Sequence, residues 1–134
     1  MTLKELSQLY YLNREIEMDK RRLESLKMKS QSPSSARLDG MPHSTSIESR
    51  VERYAAEIAD LEAIIAAKCE QCIHERNRLE RYISDIDDSL TRQIFTFRFV
   101  NGLSWTQVAA HIGGSNTEKS VSKACYRYLE KHPE

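Results

Sequence analysis

Apolar residues recur along the first part of the chain with the period of a helix. Leu9, Ile16 and Leu23 stand seven residues apart, with Leu12 and Leu26 between them. Leu3, Leu6 and Tyr10 thicken the stripe at its start, and Asp19 interrupts it. The spacing predicts an amphipathic helix over about 2–29, roughly 39 Å long at 1.5 Å per residue. The pattern then stops. Residues 30–44 read SQSPSSARLDGMPHS, with Pro33, Gly40, Pro42 and five serines, and predict a flexible loop.

A longer pattern follows. Thr45 and Glu48 have the spacing of a capping box, in which each side chain satisfies the other's backbone N–H. Val51, Ile58, Ile65, Cys72, Leu79 and Ile86 then occupy every seventh position. Ile47, Tyr54 and Leu61 form a second seam, which Lys68 and Glu75 interrupt and Tyr82 restores. The expected helix spans about 45–84, roughly 60 Å. A one-sided stripe of that length needs a partner helix along it. The first helix supplies one, folded back antiparallel, but it is too short to cover the whole seam. The C-terminal region or a second copy of the chain must cover the rest, and a homodimer or higher oligomer is expected. Lys68 and Glu75 either set the register of the pairing or mark where the seam opens to water.

From Ile83 the punctuation tightens. Asp88 or Ser89 can cap a helix bearing Leu90, Ile94, Phe97, Phe99 and Val100, which Asn101-Gly102 ends. Ser104 opens a second helix, with Gln107 completing a capping box, and Gly113-Gly114 closes it. Asn116 or Thr117 caps a third, whose inner face is Val121, Ala124, Cys125, Tyr128 and Leu129. Ala109 and Ala110 are small where the helices would cross. Two short helices joined by a tight turn and braced by a preceding one predict a helix-turn-helix.

Composition narrows the class without changing this picture. Four glycines and three prolines in 134 residues are too few for an all-β chain. Twenty basic and twenty acidic residues balance, but unevenly. Residues 47–88 hold six basic and eleven acidic side chains, net −5, whereas 89–134 hold six and three, net +3. No run approaches a membrane span, and the N-terminus has no signal-peptide core. Three cysteines fit a reducing compartment, so a cytoplasmic location is expected.

The C-terminal residues carry a resemblance. Arg92, Ile94, Arg98, Phe99, Gly102, Ser104, Trp105, Val108, Ala109, Ile112 and Gly113 spell R-x-I-x-x-x-R-F-x-x-G-x-S-W-x-x-V-A-x-x-I-G. This resembles the helix-turn-helix of sigma-70 region 4 and of phage late-gene transcription regulators. The overall plan is similar to a phage and prophage family in which a helical hairpin precedes such a module. The motif covers about 45 residues. Residues 1–82 hold nothing like a promoter-melting region, so the resemblance implies a region-4-like regulator rather than a complete sigma factor.

The expected fold is therefore all-α. A coiled-coil-like antiparallel hairpin over 1–84, with its loop at 30–44, precedes a helix-turn-helix bundle over 85–134. The expected function is sequence-specific, double-stranded DNA binding in transcriptional regulation, with a recognition helix at about 117–131 in the major groove. Lys119, Lys123 and Arg127 lie four residues apart on one face and suit phosphates or guanine edges. Thr117, Glu118 and Ser122 can reach bases, and Thr106 and Gln107 backbone phosphate. Trp105 is expected to pack inside the module. Other readings are a small terminase-like packaging component and a coiled-coil protein that binds RNA polymerase. Cys69-x-x-Cys72 lacks the second ligand pair that structural zinc uses. Asp85, Asp87 and Asp88 read as helix capping. No phosphate-binding loop, dinucleotide fingerprint or nucleophile motif is present, so neither an enzyme nor a cofactor is expected.

Overall fold

The computed structural model describes residues 1–31 and 44–133, with side chains from residue 49 onward in the second stretch. Of the loop expected over 30–44, residues 30 and 31 continue α2 and residue 44 begins α3, while the rest lies outside the described residues, as do the side chains of the Thr45–Glu48 capping box. The described chain is all-helical. It comprises α1 (Leu3–Leu6), α2 (Gln8–Gln31), α3 (Ser44–Ser84), α4 (Ser89–Phe95), a wide π-type turn (Thr96–Val100), α5 (Trp105–Ile112) and α6 (Glu118–Lys131). Among the described residues no helix is long and apolar enough to cross a membrane.

The periodicity predicts one helix over 2–29, and the structure divides it at Ser7, a turn residue at φ −86 and ψ −5 between α1 and α2. Thr2 caps α1 through a capping box with Glu5. The Thr2 hydrogen bonds hold the Glu5 carboxyl below its ordinary range. The break costs little burial, because Leu6 and Leu9 on either side of it are both in the core.

The residues divide into two compact units, 14–70 and 1–13 with 71–134. In the first, Ile16, Leu61 and Ile65 are buried between α2 and α3. Here the interruptions seen in both stripes meet. Lys68 Nζ lies 2.6 Å from Asp19 and 3.1 Å from Glu15. The hydrogen bond to Asp19, then that to Glu15, holds the Lys68 ammonium above its ordinary pKa. Lys27, eight residues on along α2, pairs at 3.6 Å with Glu62, six residues earlier in α3.

The second unit holds the main core. Leu6 and Leu9 join Leu79, Ile83 and Ile86, and these pack with residues of α4, α5 and α6. The C-terminal part of the α3 stripe is thus covered by the chain's own last helices. Phe95 is the hub, with ring centroids 5.3 Å from Phe99, 5.4 Å from Tyr128 and 6.3 Å from Tyr82. Edge-on ring pairs at such distances add to simple burial. Ile86 continues the heptad count but lies beyond α3, which ends at Ser84. The exit tightens through N–H groups of Asp85 and Ile86 that reach three residues back. Arg92 donates to the carbonyls of Ile86 (2.6 Å) and Asp87 (3.0 Å), fastening this connection to α4. Cys72 donates to Asn13 Oδ1 at 3.3 Å, and Glu75 pairs with Arg78 along α3.

Candidate nucleic-acid interface

Three caps build the C-terminal elements. Asp88 caps α4, accepting from the Thr91 amide (3.0 Å) and hydroxyl (2.7 Å). These bonds hold its carboxyl below the ordinary 3.8. The π-type turn follows, with the Asn101 N–H reaching the Thr96 carbonyl, five residues back, at 3.0 Å. Gly102, at φ 71, reverses the chain. Ser104 and Gln107 then form the expected capping box at the start of α5.

Gly113 ends α5 at φ 74 and ψ −158, and Gly114 follows at φ 65. Both are values that a side chain resists. Asn116 donates its amide to the Gly113 carbonyl at 3.0 Å, bracing the turn. Thr117, not Asn116, caps α6, and Ser120 closes its capping box. The inner faces are apolar as expected. Val108, Val121 and Cys125 are fully buried, and Ala124, Tyr128 and Leu129 pack against them. Burial pushes the Cys125 thiol up to about 12. Ala109 is buried at the crossing, but Ala110, expected beside it, faces solvent.

The outer surface separates the eight candidate residues into two groups. Lys119, Lys123 and Arg127 are all exposed, and none pairs or hydrogen-bonds through its side chain with another described residue. They span roughly 12 Å along one side of α6. The five polar candidates have partners within the protein. Thr106 donates to Glu118 at 3.2 Å, linking α5 to the first turn of α6. Gln107 and Thr117 serve capping boxes, and Ser122 donates to the Lys119 carbonyl at 3.2 Å.

Comparison of the chain with family models, with curated proteins and with solved structures finds no match. The geometry alone characterises the site. Sequence reasoning missed its aromatic flank. The Arg98 guanidinium stacks 4.5 Å over the Trp105 ring and donates to the Leu103 carbonyl at 3.0 Å. Trp105 meets the exposed Tyr126 edge-on at 6.0 Å, so its ring bridges the turn after α4 and the α6 surface. The only available signal was an arginine seven positions before the tryptophan. His111 stacks on Phe97 at 5.3 Å. Cys69 is exposed and Cys72 half-buried, and among the described residues no three His, Cys, Asp or Glu side chains gather as ligands.

Proposed function

We propose that the chain is a sequence-specific DNA-binding transcriptional regulator, with α5 and α6 as its helix-turn-helix and α6 as the reader of the major groove. The observation that carries this reading is the row Lys119, Lys123 and Arg127, exposed and without an ion pair to any described residue. Cations so placed on a short helix neutralise phosphates and release the counter-ions condensed on DNA. The partnered polar residues near the start of α6 present a set geometry to base edges rather than loose side chains.

The remainder of the chain acts as an antiparallel helical hairpin that brings copies together or contacts RNA polymerase. The opposite order of the Lys68–Asp19 and Lys27–Glu62 pairs along the two helices supports the hairpin. A dimer would place two readers on DNA at one-turn spacing or a multiple of it. The resemblance of the 92–113 motif supports a phage or prophage regulator acting in the cytoplasm, without catalysis.

The test is selection of random duplex DNA on the purified protein, followed by anisotropy titration of the enriched duplex at several salt concentrations. The wild-type chain should bind with steep salt dependence. Changing Lys119, Lys123 and Arg127 together to Ala should weaken binding and reduce the log–log salt slope by about 2.7, three phosphate contacts' worth. Wild-type affinity and slope in that triple variant would overturn the reading.

A further inference from the structure

A second cationic site stands within the 14–70 unit. An open cleft of about 310 Å³ is lined by Leu26 and Lys29 of α2 and by Arg50, Arg53, Tyr54 and Glu57 of α3. The four α3 residues follow the i, i+3, i+4, i+7 spacing that aligns side chains on one helical face. Arg50 and Tyr54 are half-buried, while Lys29 and Arg53 are exposed. Three cations therefore face one carboxylate.

No ion pair or hydrogen bond joins the side chain of Lys29, Arg50 or Arg53 to another described residue. Two other cations of the same unit are paired across the helices. Lys27 takes Glu62, and Lys68 takes both Asp19 and Glu15. Glu52, the acidic residue next to Arg53, sits about 100° round the helix from it. Among the described residues Glu57 is the one carboxylate in the cleft lining, and the mutual repulsion of the three cations is what an anion would relieve. Two guanidinium groups match tetrahedral oxygens in two-pronged hydrogen bonds, which an ammonium alone does not. A half-buried position strengthens such contacts relative to open water.

We propose that this cleft binds a phosphate-class oxyanion through Lys29, Arg50 and Arg53, with Tyr54 as a wall and Glu57 as the one opposing charge. Another open cleft, beside α5, makes no comparable offer, because its Arg98 already donates to Leu103 and stacks on Trp105. The site does not depend on DNA binding by α6.

The test is calorimetric titration of the full chain with pyrophosphate at constant ionic strength, with circular dichroism confirming helicity in every variant. The wild type should bind saturably, and the variant with Arg50→Met and Arg53→Met should weaken binding at least about tenfold. Glu57→Gln should tighten it. The Ala variant of Lys119, Lys123 and Arg127 should bind pyrophosphate as the wild type does, which separates this site from the DNA reading. Absence of saturation, retention of binding in the Arg50→Met and Arg53→Met variant, unchanged or weaker binding in Glu57→Gln, or loss of pyrophosphate binding in the α6 variant overturns the proposal. A single-stranded oligonucleotide that displaces pyrophosphate identifies a backbone phosphate as the natural occupant. Failure to displace it identifies a free phosphate, and either result supports the site.

Discussion

Gly113 shows how a single residue shapes the candidate interface. Its φ of 74 and ψ of −158 lie in a region almost reserved for glycine, and nothing stands within 4 Å of where a Cβ would sit. Gly113→Ala should therefore destabilise through backbone strain alone, by about 1–3 kcal/mol. Urea denaturation measures it, and an unchanged midpoint refutes the account. Asp88 makes a pH-dependent contribution. Its Thr91 hydrogen bonds lower its folded pKa, so the stabilisation is present above 3.8 and is lost as pH falls through the lower folded value. Melting temperatures from pH 7 to pH 2 should show that loss in the wild type and a flatter acid limb in Asp88→Ala. The caps at Asp88, Ser104 and Thr117 were legible because a cap needs only a short polar side chain and an amide a few residues on. The Thr106–Glu118 bond was not legible, since it joins residues twelve apart across a reversal whose angle no local rule states.

At the scale of elements, the two interrupted stripes of α2 and α3 explain each other. Asp19 and Lys68 each spoil an apolar seam, and each is half-buried only because it meets the other. Removing Lys68 leaves the half-buried Asp19 carboxylate without its complement, and removing Asp19 leaves the Lys68 ammonium only the more exposed Glu15. Asp19→Leu and Lys68→Leu should each lower the melting temperature, whereas the double variant should regain at least the wild-type value. Additive losses would refute this coupling. Heptad counting located both charges but not their encounter, because periodicity describes one helix at a time and says nothing of register between two. The same limit hid the break at Ser7, where no glycine or proline signals a change of direction. It also hid the π-type turn, whose sequence TFRFV resembles any helical run.

For the molecule as a whole, the all-helical class followed from the scarcity of breakers and the length of the stripes. The grouping of 1–13 with 71–134 did not follow, because it requires Leu6 and Leu9 to share a core with Val121 and Cys125, more than a hundred residues away. Cys125 reports on that core. Its thiol is fully buried and pushed up to about 12, while Cys69 is exposed. Under native conditions a thiol-specific disulfide reagent should label Cys69 promptly and Cys125 only at the rate of unfolding. Equal rates would mean that the core opens readily. The turn at Thr96–Val100 has a further consequence for how the chain tolerates changes in length. It holds one residue more than an ordinary helical turn. Wound tightly, the same residues would swing Gly102 about 100° around the axis and send the backbone off in another direction. A deletion of one amino acid there would take up the slack and preserve the heading, whereas an insertion would have no slack left to absorb it.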